Sequence, residues 1–466
     1  MNRIINSTLS LLLMASLLIS CQNSPKAKKE CCSKEKETCC AKSADMHLDW
    51  TRNANIYEVN IRQYTPEGTI NAFANHLPRL KEMGVDILWL MPIFPISEKN
   101  RKGSMGSCYA VADYRAVNPD YGTIEDLKIM VKQAQDLGMK VILDWVANHT
   151  GWDNVIMKDH KDWYTLNEKG EVQIPAGTDW TDTADLNFDN KDLREYMKGS
   201  LKFWIEKANV DGYRCDMAAM VPTDFWNNVR KELDAIKPVF MLAEAWEPEL
   251  LESAFDMGYA WDFHHLMNDI AKGEKNANEI DAYFAKIDTL YQKDNYLMNF
   301  ITNHDENSWA GTIKERMGAS SDAFAVLTFT MPGMPMLYSG QEASLSHRLK
   351  FFEKDEIDWN NKELVPFYTQ LMSLKANNKA LLNGAQGGDL VRIASDKNEA
   401  VYAFIREKDG DKVVVVLNLS NQAQDVKLNT EAYAGAYSNF FTKEKQELAK
   451  ETTMSLKAWD YKVFVN

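Results

Sequence analysis

Cysteine is scarce in this chain, and so are several motifs that identify common classes of protein. Seven cysteines occur among 466 residues, four of them within residues 31–40, so a disulfide-stapled scaffold is excluded. No GxGxxG, GxxxxGK or HExxH pattern is present, which leaves no sequence sign of a nucleotide or zinc site. Acidic side chains outnumber basic ones by 67 to 53, and the net charge of −14 argues against nucleic acid as a partner.

Long apolar runs are also rare, and the N-terminal one predicts export. Residues 9–20 are long enough for the apolar region of a signal peptide and too short to span a bilayer. The run ends in Leu-Ile-Ser before Cys21, which resembles the bacterial lipobox; ordinary cleavage beside a chance cysteine is the alternative. We therefore expect a signal peptide over residues 1–20, a lipid anchor at Cys21 and a flexible tether over residues 21–49. The expected location is the bacterial cell envelope, on the periplasmic or outer face of a membrane.

From residue 55 onward, apolar runs alternate with amphipathic segments, which is typical of βα units and a parallel sheet. The predicted strands cover residues 56–61, 87–92, 141–146, 212–216, 240–244, 260–263, 300–303 and 336–338. The predicted helices cover residues 70–83, 124–137, 193–207, 223–236, 280–291 and 322–331. Eight strands with intervening helices predict a closed (β/α)₈ TIM barrel over residues 50–384, because an open doubly wound sheet would be expected to carry a phosphate-binding glycine pattern.

Two regions depart from this pattern. The stretch between Asp144 and Asp216 is roughly 40 residues longer than one βα unit. We therefore expect a small inserted domain over residues 150–190, after the third strand and above the barrel mouth. Residues 385–466 contain short alternating runs bounded by turn residues, which predict a C-terminal all-β domain of the sandwich type.

Polar residues stand where several predicted strands end. In a barrel of this kind the catalytic groups lie at the C-terminal ends of the strands. A single charged residue in such a place is commonly a solvent-facing group, but four strands with the same feature indicate one site. The residues concerned are Asp144 and His149 after the third strand, Arg214 and Asp216 on the fourth, Glu244 on the fifth, and His304 and Asp305 after the seventh.

Two of these carboxylates fit the chemistry of a glycosidase. Side chains alternate along a strand, so Arg214 and Asp216 face the barrel mouth together while Cys215 faces the helix layer. The guanidinium is expected to keep Asp216 ionised, as a nucleophile requires. Glu244, on the adjacent strand and without a cation of its own, is expected to have a raised pKa and to donate a proton. Two carboxyl groups about 5 to 5.5 Å apart are the arrangement of retaining glycosidases.

The segments DWVANHT, GYRCDM, AEAW and ITNHDE resemble, in order and spacing, the α-amylase family of glycoside hydrolases. Further similarity lies in SCYAVADYRAVNPDYGT and PGMPMLYSGQE, so the resemblance covers residues 50–466. It implies that Asp216 is the nucleophile, Glu244 the acid/base and Asp305 the transition-state stabiliser. The substrate-binding residues that it implies are Tyr109, Asp144, His149, Arg214 and His304.

The resemblance also implies a function and its alternatives. The expected activity is retaining hydrolysis of α-1,4-glucosidic bonds in starch, maltodextrins or related α-glucans. An α-glucosidase, a cyclomaltodextrinase or a transglycosylase would use the same machinery. A non-catalytic glucan-binding lipoprotein is the rival from another class, but such a protein would be expected to have lost one of the catalytic groups.

No cofactor is required by this chemistry, and no metal site is predicted. The sequence leaves calcium open. Asn148 matches a position that ligates calcium in the family, but one oxygen is far short of the six to eight that Ca²⁺ takes. Ser107 and Met220 stand where many members have histidines, which argues against the calcium site.

Overall fold

The computed structural model describes residues 47–466; the predicted signal peptide, Cys21 and nearly all of the tether lie outside them. The strands of the first part, numbered along the chain, are β1 (Ile56–Val59), β2 (Ile87–Leu90), β3 (Lys140–Val146), β4 (His149–Gly151), β5 (Thr183–Asp185), β6 (Gly212–Asp216), β7 (Phe240–Ala243), β8 (Met257–Tyr259), β9 (Tyr296–Asn299) and β10 (Met334–Tyr338). All except β4 and β5 pair in parallel and close into a barrel in the order β1-β10-β9-β8-β7-β6-β3-β2.

The barrel strands are apolar on both faces because both faces are covered. Along β2, for example, Ile87 and Trp89 pack inside the barrel, whereas Leu88 and Leu90 pack against the helix layer. The helices of this layer and its connections are α1 (Ile61–Tyr64), α2 (Ile70–Ala74), α3 (Leu77–Met83), α4 (Ile124–Asp136), α5 (Lys191–Ala208), α6 (Thr223–Asp234), α7 (Trp261–Lys272), α8 (Glu279–Leu290), α9 (Ile313–Met317), α10 (Ser321–Thr330) and α11 (Val365–Ala376). Within residues 47–466, no helix has both the length and the apolar character needed to cross a bilayer.

The sixth and seventh strands lie earlier in the chain than the sequence pattern predicted. Residues 260–263 are not a strand: α7 begins at Trp261, because apolar residues such as Phe263 and Met267 recur there at helical spacing and are buried. Residues 300–303 follow β9 rather than form it. Asn299 lies opposite Pro335 of β10, which has no N–H to extend the ladder.

The predicted helix over residues 70–83 is two helices. The first, α2, ends at Ala74, and α3 begins at Leu77 with Pro78 in its first turn. Proline is tolerated in a first turn and disrupts a helix interior, so the break precedes it.

The C-terminal part is an all-β domain, as predicted. Its strands are β11 (Val391–Ile393), β12 (Val401–Lys408), β13 (Asp411–Asn418), β14 (Gln424–Asn429), β15 (Gly435–Asn439), β16 (Lys445–Leu448), β17 (Glu451–Leu456) and β18 (Tyr461–Val465). Six of them form one sheet, in the order β11-β12-β13-β18-β15-β16, and β14 pairs with β17. Apolar side chains of the β14-β17 pair share one core with those of the six-stranded sheet.

A long insertion follows β3 and shapes the barrel mouth. Its first and last residues pair as the antiparallel strands β4 and β5, with His149 opposite Asp185. Tyr114 anchors the start of the insertion, because its hydroxyl donates to the carbonyl oxygens of Val146 and His149 at 2.8 Å. The chain between β4 and β5 returns over the barrel and supplies one wall of the cleft described next.

Candidate active site

A cleft of about 510 Å³ opens where the barrel strands end. Its floor comes from the barrel, one wall from the insertion and the other from the segments after β9 and β10. The side chains lining it are Lys102, Ser107, Tyr109, His149, Asp179, Trp180, Asp182, Thr183, Asp216, Met217, Glu244, His304, Asp305, Trp309, Phe351 and Phe352.

Arg214 lies beneath this cleft and is fully buried. Its Nη1 donates to Asp144 Oδ1 at 2.8 Å and to Asp216 Oδ1 at 3.0 Å. Its Nη2 lies 2.9 Å from Glu244 Oε2, and its Nε donates to the Tyr259 hydroxyl at 3.2 Å. One guanidinium therefore contacts carboxyl groups from three neighbouring strand ends.

Asp216 and Glu244 stand side by side on adjacent strands. Cys215 pairs with Ala243 in the ladder between β6 and β7, and the amide of Glu244 donates to the carbonyl of Cys215 at 3.0 Å. Neighbouring strands lie about 4.8 Å apart. The backbone N–H of Met217, the residue after Asp216, donates to Glu244 Oε2 at 2.9 Å. The predicted pair is therefore brought together at one point of the cleft.

Asp144 links this pair to the aromatic side of the cleft. It is fully buried, and its Oδ2 accepts hydrogen bonds from Trp89 Nε1 and from the Tyr109 hydroxyl, both at 3.1 Å. The Tyr109 ring is nearly parallel to that of Phe351, with the ring centroids 6.1 Å apart. The centroids of the Phe351 and Trp309 rings are 5.1 Å apart. Trp309 is 56 % exposed, so the cleft presents an open aromatic wall of the kind on which sugar rings stack.

The two histidines take different positions. His304 is buried; its Nδ1 lies 2.5 Å from Glu58 Oε1, and its Nε2 lies 2.9 Å from the Tyr109 hydroxyl and 3.3 Å from Asp305 Oδ2. His149 is buried on the opposite side, with its ring 5.4 Å from that of Trp180. Within residues 47–466, every site residue predicted from the sequence thus lies in this cleft or directly beneath it; Cys21 is outside the described residues.

The comparison with known proteins identifies the family. Residues 41–380 match the family described as "Alpha amylase, catalytic domain", and residues 391–463 match "Maltogenic Amylase, C-terminal domain". The chain belongs to the α-amylase family of glycoside hydrolases.

Individual relatives of the enzyme are moderately similar. Alpha-amylase MalA of Haloarcula japonica is 27% identical; the alignment covers 83% of this chain and 59% of MalA. The structure of the noncanonic maltogenic alpha-amylase AmyB from Thermotoga neapolitana superposes with a TM-score of 0.81 at 28% identity, over 90% of this chain and 100% of that one. The structure of an alpha-amylase from Lactobacillus plantarum gives 0.80 at 30% identity, over 90% and 99%.

The electrostatics of the enzyme's carboxylate pair differ in two respects from the sequence prediction: Glu244 is not without a cation, and Arg214 does not keep the pKa of Asp216 low. Glu244 does have a cation beside it, because Arg214 reaches across to it as well as to Asp216. Burial nevertheless raises the pKa of Glu244. Burial and the neighbouring Glu244 also raise the pKa of Asp216, with Arg214 acting against them. Three buried carboxyl groups thus share one guanidinium, and the cluster retains a proton more readily than separate carboxyl groups would.

The remaining titratable groups of the cleft are also shifted. Burial acts to raise the pKa of Asp305, but His304, Arg214 and Trp309 together lower it below its usual value, which favours the ionised carboxylate. Burial lowers the pKa of His149 to about 4. The imidazole is therefore neutral and can donate a hydrogen bond to a hydroxyl group or accept one from it.

The calcium position suggested by the sequence has little around it. The Asn148 side chain is buried, and its Nδ2 contacts His149 Nδ1 at 3.4 Å. Asp182, a buried carboxylate of the insertion, is paired with Lys102 at 3.1 Å. Among residues 47–466 no group of three or more His, Cys, Asp or Glu side chains is arranged to hold a metal ion. The donors present do not fit a calcium site, and no step below depends on one.

The sequence analysis missed one residue beneath the cleft and several that line it. Glu58 stands inside an apolar strand rather than after it, so the search for polar strand ends passed over it, although a carboxylate within a buried strand was itself a signal. Trp309, Phe351 and Phe352 lie in segments after β9 and β10 that carry no recognisable pattern. Their place in the cleft depends on the path of those segments.

The position of Arg214 predicts that lysine cannot replace it. A lysine ammonium is a point charge on a flexible stem and cannot contact three carboxyl groups in fixed directions. We expect Arg214→Lys to lower kcat/KM on an aryl α-glucoside at least about 100-fold. Arg230→Lys is the matched control, because Arg230 is also buried and paired with Asp256 at 2.8 Å but lies outside the cleft. Arg214→Lys with more than a third of the wild-type kcat/KM would show that the cluster is not needed.

Proposed function

We propose that the enzyme hydrolyses α-1,4-glucosidic bonds of starch, maltodextrins or related α-glucans by double displacement, with retention of configuration. The observation that carries this proposal is the pairing of Asp216 and Glu244 on adjacent strands above one guanidinium. Carboxyl groups on adjacent strands that contact one guanidinium are expected to stand about 5 to 5.5 Å apart, which leaves no room for the attacking water that inversion requires.

The geometry assigns the two roles. Asp216 accepts a hydrogen bond from Arg214, which orients its carboxylate and favours the ionised form that attacks the anomeric carbon. Glu244 lies within 2.9 Å of Nη2, but in the part of the chain that the structure describes this nitrogen makes no hydrogen bond. Both carboxyl groups contact the cation and burial raises the pKa of both, so the pair keeps a proton between them, which we assign to Glu244 as the acid. It protonates the leaving glycosidic oxygen and afterwards takes a proton from the attacking water.

Asp305 supplies the third group of the proposed mechanism. His304, Arg214 and Trp309 lower its pKa and so favour the ionised carboxylate, which is partly exposed to the cleft. A negative charge there stabilises the positive charge that develops on the sugar ring in the transition state. Tyr109 and Trp309 would contact the apolar faces of neutral sugar rings.

A maltogenic action is the second candidate that a specific observation favours. Residues 391–463 match the maltogenic amylase C-terminal domain, and AmyB of Thermotoga neapolitana is described as a maltogenic alpha-amylase. Release of maltose as the main product would distinguish this action from random internal cleavage of starch. Chromatography of the products from starch, maltotriose and cyclodextrin decides between these actions and a cyclomaltodextrinase.

The division of labour is tested with one pair of variants. Asp216→Asn should abolish turnover on every substrate, because no glycosyl-enzyme can form. Glu244→Gln should lose starch hydrolysis but keep a first turnover on glucosyl fluoride, whose leaving group needs no proton. The covalent intermediate should then accumulate, since no base remains to activate water. Rapid-mixing assays with fluoride detection and mass spectrometry of the intact protein measure both.

Two results with these variants would contradict the assignment of roles. A burst with Asp216→Asn and none with Glu244→Gln would mean that the roles are reversed. Full activity of both variants on starch would place the active site elsewhere.

We also propose that the enzyme is a lipoprotein of the bacterial envelope, anchored at Cys21. The support is the lipobox-like ending of the apolar run and the polar tether that follows it. In a lipoprotein-processing bacterium, Cys21→Ala should move the enzyme from the membrane to the soluble fraction, while the tether variant Cys31→Ala stays with the membrane. Membrane fractionation of Cys21→Ala that matches the wild type would exclude the anchor.

A further inference from the structure

Glu58 on β1 is a buried acid for which the proposed mechanism has no role. It is fully buried, and its Oε1 lies 2.5 Å from Nδ1 of His304. Its Oε2 is buried and, among residues 47–466, has no hydrogen-bond partner. A buried carboxylate with one unpaired oxygen costs free energy, and such groups in natural proteins tend to serve a function.

The groups around His304 favour one protonation state of its ring. The hydroxyl of Tyr109 donates its proton to Asp144, so toward Nε2 of His304 it offers only its oxygen, at 2.9 Å. Nε2 also faces the Asp305 carboxylate at 3.3 Å. Nδ1 faces the Glu58 carboxylate. Each ring nitrogen therefore meets acceptors, and an imidazole that donates from both nitrogens is the charged imidazolium.

We propose that Glu58 is a positioning residue that fixes His304 as a doubly protonated imidazolium, and that this cation keeps Asp305 ionised and oriented toward the substrate. The proposal rests on the proposed function only for the role of Asp305. The contacts from Glu58 through His304 to Asp305 thus link β1 to the segment after β9.

The other charged groups around His304 do not replace Glu58. Tyr109 and Asp144 are joined to each other, and Asp144 is neutralised by Arg214, whose cation works against a second positive charge. Burial acts to lower the pKa of His304, and Asp305 and Glu58 together raise it well above its usual range. The titratable groups facing it are Glu58 from β1, Cys108 and Tyr109 from the segment after β2, Asp144 from β3, Arg214 from β6, Glu244 after β7, and Asp305 beside it.

Removal of the Glu58 charge should therefore show itself in the pH profile. Glu58→Gln keeps the shape of the side chain but not its charge, so the pKa of His304 should fall toward its ordinary value. Well below that value His304 is still protonated, and kcat/KM on 4-nitrophenyl α-maltoside should stay within about threefold of wild type at pH 5. At pH 8 the ring is neutral and kcat/KM should be about 10- to 100-fold lower. Glu58→Asp retains the charge and should keep the wild-type profile at a lower rate.

The proton state itself can be observed without a substrate. In protein with ¹⁵N-labelled histidine, long-range ¹H–¹⁵N NMR spectra distinguish the imidazolium from the two neutral tautomers, and His304→Gln assigns the signal. The wild type should show both His304 nitrogens protonated from pH 6 to pH 8, and Glu58→Gln should lose this signal within that range. The matched control is Glu342→Gln, because Glu342 is an equally buried acid that contacts Tyr57 and Arg79 away from the cleft.

The outcomes separate this proposal from the proposed function. A His304 that titrates near 6.5 in the wild type would overturn the proposal even if Glu58→Gln did not fold. So would a Glu58→Gln enzyme with the wild-type spectrum and pH profile. An imidazolium in a wild type that cleaves no α-glucan would support the assignment of Glu58 and His304 while removing the proposed function.

Discussion

The ion cluster around Arg214 is the interaction on which the rest of the site depends. Burying a guanidinium and several carboxylates costs free energy that their mutual attraction offsets only when the geometry is good and the remaining hydrogen bonds are made. Here Asp144, Asp216 and Glu244 surround the cation, and the rings of Trp89, Tyr109 and Tyr259 lie 5.0 to 5.9 Å from it. Arg214 and Asp144 are fully buried, so each of these charges acts strongly on its neighbours. The cluster both orients the proposed nucleophile and leaves one proton for the proposed acid.

Strand register brings the residues of this cluster next to one another. Asp144 of β3 lies opposite Arg214 of β6, and the β6–β7 register sets Glu244 beside Asp216. Below them the barrel interior is filled by apolar side chains that include Trp89 and Tyr259, so the floor of the cleft is a packed core. A shift of one strand by one residue would turn these side chains away from one another. The fixed positions of the strands also place Glu58 of β1 within reach of His304.

Much of the fold and most of the site could be predicted from the sequence, and the failures have identifiable causes. Apolar runs with turn residues located most barrel strands, because parallel strands are buried on both faces. The sixth and seventh strands were placed too late, since the apolar start of α7 imitates a strand and Pro335 ends the ladder of β9 early. Polar strand ends identified Asp216, Glu244 and Asp305, but not the charged residues that the loops bring to the cleft. They could not show that Arg214 contacts Glu244 as well as Asp216, which depends on the side chain's reach across strands. The aromatic wall at Trp309 depends on the paths of the loops after β9 and β10, and no sequence pattern indicated those paths.

We propose double displacement because Asp216 and Glu244, on adjacent strands, both contact one guanidinium. The most direct test is ¹H NMR of the first product released from a maltooligosaccharide, recorded before mutarotation can scramble the anomers. Double displacement predicts that the new reducing end appears first as the α-anomer. An initial β-anomer from an α-glucan would contradict it, because the water would then have attacked directly and Asp216 could not be the nucleophile.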